Sequence, residues 1–191
     1  MRIISGKWRG RKLVNIEDKL TNAQLRPTLD RVRESIFNII SHGEYNGVDG
    51  AKVLDLFSGS GAMGFESLSR GAERVCFVES DSRAVSIIKK NVELLSADLD
   101  VTVLYKDATK LNKNLMGEFD LVFLDPPYGL HLGEASLKSA IKAGWIAPGA
   151  IIVWEEKGNN ETVDNLHLFT ERSFGKIKIQ FFTLGEKSNT M

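Results

Sequence analysis

A glycine-rich loop between a strand and a helix is the feature that most restricts the fold of this chain. Residues 52–57 are largely apolar and of strand length, and the loop that follows them contains Gly59, Gly61 and Gly64. This is the G-x-G-x-x-G spacing, which lets the backbone approach a ligand closely at a helix N-terminus. The sequence therefore predicts a Rossmann-like βα unit that binds a nucleoside-containing cofactor.

Strand and helix patterns alternate through the remainder of the chain, which predicts an α/β domain with a largely parallel sheet. Two further β runs meet at Phe174-Gly175 and predict an antiparallel hairpin. The expected fold is a Rossmann-like, seven-stranded, mostly parallel sheet with an antiparallel C-terminal hairpin, preceded by a small N-terminal basic arm and helix. The strands are predicted at 52–57, 74–79, 101–105, 119–124, 150–155, 166–173 and 176–184, and the helices of the sheet domain at 62–70, 82–95 and 134–143.

Charge is distributed unevenly along the chain, although its formal net charge is zero. Residues 1–33 contain nine basic and three acidic side chains, so this segment carries +6 and the remainder −6. Such an asymmetry predicts an end that faces a polyanion. The basic side chains can neutralise phosphates, and Trp8 or an arginine plane can stack on a base. A solvated basic edge strand is the simpler interpretation of the arm taken alone.

Acidic residues at three strand ends indicate which cofactor the glycine loop receives. Glu79 ends the second strand, twenty residues after Gly59, where a carboxylate accepts hydrogen bonds from a ribose diol. Asp55 precedes the glycines and suits a cationic amino-acid group better than a pyrophosphate. Asp107 follows the third strand and is placed to contact an adenine amino group, although a helix cap also explains it. Together these acids favour S-adenosylmethionine over NAD.

The stretch Asp125–Tyr128, which reads Asp-Pro-Pro-Tyr, follows an apolar run typical of a buried strand. The prolines cannot continue a hydrogen-bonded ladder and each fixes its own φ, so the turn is stiff. A stiff turn with a carboxylate, backbone carbonyls and a ring suits the binding of a planar amine. A simple strand stop explains these four residues equally well by themselves. The neighbouring cofactor loop favours the amine site.

Taken together, these motifs resemble those of class I S-adenosylmethionine-dependent methyltransferases that modify exocyclic amino groups. With Arg2–Gly6, Arg9-Gly10, Arg26–Thr28 and Asp30–Glu34, the chain resembles the bacterial 16S ribosomal RNA guanine-N2 methyltransferase family named for guanine 966. The resemblance implies methylation of that guanine in the cytoplasm, with an assembling small ribosomal subunit as partner and S-adenosylhomocysteine as product. An adenine-N6 DNA methyltransferase, a nucleotide-binding oxidoreductase and a non-catalytic RNA-binding module remain as alternatives.

The motifs and the resemblance together predict three sets of contacts. Asp125 and the Pro126 carbonyl accept hydrogen bonds from the amine, and Tyr128 stacks on the base. The predicted cofactor contacts are Asp55, Phe57, Gly59, Gly61, Gly64, Glu79, Asp107, Ala108 and Asp125. The predicted RNA contacts are Lys7, Trp8, Arg9, Arg11, Arg26 and Arg33.

The expected division is an RNA-recognition arm and helix at 1–43, a class I methyltransferase domain at 44–185 and a loose tail at 186–191. No uninterrupted apolar run has membrane-spanning length. The single Cys76 suits a buried, inert thiol, and the three histidines are too scattered to form a zinc site. No metal, membrane or obligate protein partner is therefore predicted.

Overall fold

The structure, a computed structural model, describes residues 1–15, 26–42, 47–127, 130–156, 163–175 and 177–185. The predicted tail at 186–191 lies outside the described residues. The helices are α1 (Arg26–His42), α2 (Ala62–Ser69), α3 (Ser82–Leu95) and α4 (Leu132–Lys142), with a 3-10 helix at Ala108–Lys110. The strands are β1 (Lys52–Leu56), β2 (Arg74–Glu79), β3 (Val101–Tyr105), β4 (Phe119–Leu124), β5 (Ile146–Glu156), β6 (Leu166–Phe174) and β7 (Ile177–Leu184).

The predicted bounds agree with the structure to within two residues, except at the start of β5. Strands β2, β3 and β4 and helix α3 occur at the predicted residues, whereas β5 begins at Ile146 rather than Ala150. Pro148 and Gly149 lie inside β5, and its register with β4 is irregular in this part of the ladder. Because proline and glycine usually interrupt a strand, the sequence pattern concealed the first residues of β5.

The seven strands form one sheet in the order β3-β2-β1-β4-β5-β7-β6. Strand β1 pairs in parallel with β2 and with β4, and β4 pairs in parallel with β5. Strand β7 is antiparallel to both β5 and β6, which confirms the predicted C-terminal hairpin. The strand order reverses between β1 and β4, and open α/β sheets bind their ligands outside the carboxyl ends of the strands at such a point.

Two hydrophobic clusters cover the two faces of the sheet. One contains Phe37 of α1, Phe65 of α2 and Ile88 of α3, and the other contains Leu137 of α4. Phe37 packs on the sheet with its ring centroid 5.7 Å from that of Phe123. Each fully buried apolar side chain of this size stabilises the fold by about 1.5–3 kcal/mol. Within the described residues, no helix is both long enough and apolar enough to cross a bilayer.

The N-terminal arm, residues 1–15, packs into the first of these clusters. Its apolar side chains Ile3, Trp8 and Leu13 are buried together with residues of α1, α2 and α3. An isolated antiparallel bridge between Arg2 and Lys12 folds the arm back on itself. The arm and the sheet therefore share one hydrophobic core.

Glu66 of α2 fixes the arm to the α/β domain. Its fully buried carboxylate accepts a hydrogen bond from Ile4 N to Oε2 at 2.7 Å and one from Ser5 N to Oε1 at 3.0 Å. Arg70 Nε donates to the same Oε1 at 2.8 Å. A buried carboxylate is tolerated here because it is both paired with a cation and hydrogen-bonded. The arm is thus held by buried polar contacts as well as by apolar packing.

Candidate active site

The carboxyl ends of β1, β2 and β4 bring together three acids that the sequence singled out. Asp55 lies in β1 beside Phe77 of β2 and Phe123 of β4 in the paired ladders. Glu79 is the last residue of β2, and Asp125 directly follows β4. Both of these carboxylates act electrostatically on Asp55. The acids therefore converge on the crevice at which the strand order reverses.

Asp55 holds the first turn of α2. Its side chain is only 4% exposed, and its Oδ2 accepts a hydrogen bond from Gly64 N at 3.0 Å. Burial raises the pKa of Asp55 well above its usual value, and the charges of Asp125 and Glu79 raise it further, although the bond from Gly64 lowers it. Removal of water from the carboxylate thus outweighs the single hydrogen bond. A cationic group in this crevice would favour the charged form of Asp55.

The three glycines of the loop differ in their surroundings. A Cβ on Gly59, where φ is 55°, would meet nothing within 4 Å, so this position opens onto space that a ligand can enter. A Cβ on Gly61 would lie 2.7 Å from Phe65 Cε2, and one on Gly64 would lie 2.7 Å from Val75 Cγ1. The second and third glycines therefore allow α2 to pack closely on the sheet, and the first leaves the backbone accessible.

Glu79 connects the glycine loop to the end of β2. Its Oε2 accepts a hydrogen bond from Gly59 N at 2.8 Å, and its Oε1 accepts bonds from Ser80 N at 2.7 Å and Asp81 N at 2.9 Å. A carboxylate offers about four acceptor sites, so these backbone groups leave capacity for a further donor. The side chain is partly exposed. The contact with a ribose diol stays a prediction.

The turn between β1 and the glycines has an unusual backbone. Phe57 adopts a left-handed conformation with φ of 59°, which is uncommon for a residue other than glycine. Ser58 stabilises this turn, because its single hydroxyl hydrogen is shared between Asp55 O, 2.5 Å from Oγ, and Val78 O, 3.2 Å from Oγ. Such backbone conformations concentrate at functional sites. Sequence reasoning included Phe57 and missed Ser58.

Asp107 begins the 3-10 helix that follows β3. Its Oδ1 accepts hydrogen bonds from Thr109 N at 2.9 Å and Thr109 Oγ1 at 2.7 Å, and these bonds lower the pKa of Asp107. This is the capping role that the sequence left open as an alternative. The side chain is about half-exposed, whereas Ala108 is buried. The predicted contacts of Asp107 and Ala108 with an adenine stay predictions.

The turn after β4 starts where the sequence placed it. Asp125 is exposed at the end of the strand, Pro126 is buried and Pro127 is exposed. Tyr128 lies outside the described residues. The two prolines restrict the backbone on which the Asp125 carboxylate is mounted. An exposed acid on a restricted turn beside the glycine loop can present a fixed acceptor to a ligand in the crevice.

Three of the predicted RNA contacts, Lys7, Arg9 and Arg11, are exposed on the arm. Lys12, which the prediction omitted, is exposed beside them. The side chain of Arg26 lies outside the described residues. Exposed cations on one short segment can neutralise phosphates of a nucleic acid.

Trp8 and Arg33 require a correction because the structure buries both of them, at 9% and 6% exposed. Trp8 packs in the core and has Lys7 Nζ 4.3 Å from its ring centroid, so it offers no open face to a base. Arg33 Nη2 donates to Arg2 O at 2.6 Å and to Asp30 Oδ1 at 2.9 Å. Burial lowers the pKa of Arg33. These two residues hold the arm in place. The prediction assumed that an aromatic and a basic residue in this segment would be exposed, which is wrong for both.

Asn91 is a polar residue of the site region that sequence reasoning missed. It lies on the buried face of α3, three residues after Ile88, and bonds to both Val14 of the arm and Ser60 of the glycine loop. The helical pattern of the sequence places this position on the inward face of α3. An amide there indicates a buried polar contact, because buried polar groups are hydrogen-bonded.

The described part of the chain contains neither a cluster of metal-ligating side chains nor an exposed thiol. No group of three or more His, Cys, Asp or Glu side chains in it is arranged to hold a metal ion. Cys76 is buried in β2, and burial raises its pKa to about 12. A thiol with such a pKa is not a ready nucleophile.

The sheet order, the glycine loop and the crevice of acids define a Rossmann-like protein of the methyltransferase class. A solved structure of Escherichia coli yhhF, described as a candidate methyltransferase, matches this fold with a TM-score of 0.82. The two chains are 30% identical, and the match covers 98% of this chain and 99% of that one. This likeness confirms the predicted fold class.

The family follows from comparison of the sequences. The family model described as Conserved hypothetical protein 95 matches residues 1–183. A Haemophilus influenzae protein named ribosomal RNA small subunit methyltransferase D is 35% identical over 95% of this chain and 93% of its own length. The Escherichia coli protein of that name is 34% identical over 95% of this chain and 89% of its own. The chain belongs to the ribosomal RNA small subunit methyltransferase D family, as its motifs predicted.

The buried charge of Asp55 predicts a pH-dependent stability. A carboxyl group whose folded pKa is raised stabilises the fold fully below its unfolded pKa, and this contribution is lost as pH rises through the folded value. Asp55→Asn keeps an acceptor for Gly64 N without the charge. We expect the stability of the variant relative to wild type to increase, by on the order of 1 kcal/mol, as pH rises from about 4, the usual pKa of an aspartate, to neutral pH.

The measurement is the free energy of unfolding in urea across that pH range. The exposed Asp98 provides the control, because Asp98→Asn removes a carboxylate without changing a buried charge. A stability difference for Asp55→Asn that does not vary with pH would contradict the assignment of a buried, raised-pKa carboxyl group.

Proposed function

We propose that this protein transfers a methyl group from S-adenosylmethionine to the exocyclic N2 amine of a guanine in 16S ribosomal RNA, guanine 966 by family resemblance. The observation that carries the proposal is the crevice at the carboxyl ends of β1, β2 and β4, where Asp55, Glu79 and Asp125 meet and where Glu79 accepts a hydrogen bond from the open Gly59. Relatives named ribosomal RNA small subunit methyltransferase D support the same reaction class. The proposed partner is the assembling small ribosomal subunit.

The residues of the crevice fit a nucleoside that carries a positive charge. Glu79 retains acceptor capacity for a ribose hydroxyl, and the space over Gly59 admits a ligand close to the backbone. The charge of Asp55, although its side chain is buried, acts on a cationic amino-acid group in the crevice, and the half-exposed Asp107 contacts the adenine beside Ala108. A pyrophosphate would place further negative charge among these acids. The set therefore supports S-adenosylmethionine rather than a dinucleotide.

Asp125 and the turn behind it provide the means of orienting the amine. The N2 amine of guanine is a weak nucleophile because its lone pair is delocalised into the ring. Asp125 accepts a hydrogen bond from one amine hydrogen and the Pro126 carbonyl accepts one from the other, so that the lone pair faces the crevice. The restricted turn keeps both acceptors in position, and positioning supplies most of the acceleration. Tyr128 stacks on the base, a contact worth about 1–3 kcal/mol.

When bound, S-adenosylmethionine supplies the methyl group, so a nitrogen–carbon bond forms as the carbon–sulfur bond breaks and S-adenosylhomocysteine remains. The proton that N2 loses passes to solvent by way of Asp125. The target base has to be unpaired or turned out of its stack to reach this crevice. The exposed cations of the arm hold the surrounding RNA through its phosphates.

Transfer of labelled methyl groups tests the reaction and its substrate. Labelled S-adenosylmethionine is incubated with the protein and, in separate reactions, with naked 16S ribosomal RNA, small-subunit particles and duplex DNA. We expect label in the ribosomal RNA, on N2 of one guanine when the RNA is digested and analysed by mass spectrometry. Label in DNA alone would contradict the ribosomal proposal, and absence of label together with tight NAD binding would favour an oxidoreductase.

Replacement of Asp125 tests the proposed orientation of the amine. Asp125→Ala removes an acceptor that acts on the amine, so we expect kcat to fall by about 100-fold or more. The affinity for S-adenosylhomocysteine, measured by calorimetry, should change far less. Asp98→Ala is the matched control, because this exposed aspartate lies in the loop before β3. Normal turnover by Asp125→Ala would exclude the proposed mechanism.

Replacement of Arg9 and Arg11 tests the proposed RNA contacts of the arm. Each lost phosphate contact lowers affinity across RNA sequences and reduces the salt dependence of binding by about one unit of slope. Binding of a 16S fragment is measured at several salt concentrations for Arg9→Ala and Arg11→Ala, with Lys142→Ala on the exposed end of α4 as the control. An unchanged salt slope in both arm variants would place the RNA elsewhere.

A further inference from the structure

The side chain of Asn91 joins the arm to the glycine loop inside the protein. It is fully buried in α3, and its Oδ1 accepts a hydrogen bond from Val14 N at 2.8 Å. Its Nδ2 donates to Val14 O at 3.0 Å and to Ser60 O at 3.1 Å. One amide group therefore satisfies both backbone groups of an arm residue and the carbonyl of a loop residue.

The other end of the arm reaches the same loop residue. Leu13 N donates to Met1 O at 3.0 Å, which brings the two ends of the arm together. Ser60 Oγ lies 3.7 Å from Met1 Sδ, in a weak hydrogen bond to that sulfur. Ser60 is itself buried. The arm therefore reaches Ser60 directly through Met1 and indirectly, by way of Asn91, through Val14.

Ser60 is the neighbour in sequence of the glycine that opens onto the crevice. Gly59, directly before it, donates its N–H to Glu79 in the predicted ribose site. Displacement of the arm at Val14 would remove two of the three hydrogen bonds that hold the Asn91 amide, the group that donates to the Ser60 carbonyl. An unsatisfied buried polar group is costly. The position of the arm and the shape of the loop at Gly59 are therefore linked.

We propose that Asn91 couples RNA binding on the arm to cofactor binding at the glycine loop, as a positioning residue that touches neither ligand. The inference rests on the proposed function. RNA held by Arg9 and Arg11 favours the docked arm, and the docked arm fixes Ser60 through Asn91. The ordered loop then needs less reorganisation to receive the cofactor, so the coupling is positive. By linkage, the cofactor strengthens RNA binding by the same factor.

A second polar anchor of the arm offers a matched control because it lies away from the loop. Ser69 ends α2, at the opposite end of that helix from Gly61. Its Oγ accepts a hydrogen bond from Trp8 N at 2.9 Å and donates to Ser5 O at 2.5 Å. Ser69→Ala therefore weakens arm docking without removing a contact of Ser60.

The test compares the affinity for S-adenosylhomocysteine with and without a saturating 16S ribosomal RNA fragment, by calorimetry. For the wild type we expect RNA to lower the Kd by about fivefold or more. Asn91→Leu keeps a similar volume without the amide. For this variant the ratio of the Kd without RNA to the Kd with RNA should fall to about one. Ser69→Ala should keep the wild-type ratio even where it weakens RNA binding itself.

Each contrary result has a distinct meaning. If the wild type binds both ligands but its Kd for S-adenosylhomocysteine is the same with and without RNA, the inference is overturned and the proposed function stays intact. The same holds if Asn91→Leu keeps the wild-type ratio or Ser69→Ala loses it equally. A wild type that binds neither S-adenosylhomocysteine nor RNA overturns the proposed function and the inference together.

Hydrogen exchange on the wild type provides a measurement that does not depend on a folded variant. S-adenosylhomocysteine alone should slow exchange of the Val14 amide, which donates to Asn91. The Trp8 amide, which donates to Ser69, should respond less. Exchange at Val14 that is unchanged by the ligand would overturn the coupling.

Discussion

The hydrogen bond between the buried carboxylate of Asp55 and Gly64 N connects the central strand to the first turn of α2. It fixes where α2 begins, and so the path of the glycine loop before it. The same helix then carries Glu66 and Ser69, which hold the arm through backbone groups of residues 4, 5 and 8. The glycine loop and the arm are therefore both positioned by one short helix. A shift of α2 on the sheet would alter the two together.

The cluster of acids explains why this arrangement suits a cationic ligand. Asp55 is desolvated and faces the charges of Asp125 and Glu79, and all three effects oppose its ionised form. Carboxylates are grouped in this way where a function requires them, because the grouping destabilises the fold at neutral pH. A sulfonium and an ammonium group would relieve the repulsion. The crevice would thus be matched electrostatically to the charged methyl donor of the proposed function.

Most of the fold was predictable because its signals are local. Strand and helix periods, the glycine spacing and the prolines after β4 each lie within about ten residues. The burial of the arm was not predictable, because Ile3, Trp8 and Leu13 recur at intervals of five, which match neither a strand nor a helix. Their burial depends on anchors about sixty residues away, such as Glu66. A charge count likewise could not show that Arg33 points inward.

These contacts also change what the basic arm can do. Arg2 and Arg33 are both paired with Asp30, and Lys7 Nζ lies 3.9 Å from Asp100 while it covers Trp8. The formal +6 of residues 1–33 therefore overstates the charge that is available to phosphates. A few unpaired cations on one short arm would give weak, sequence-independent binding by themselves. Under the proposed function, selection of one guanine would then depend on the folded shape of the RNA and on the fit of an extruded base beside Asp125.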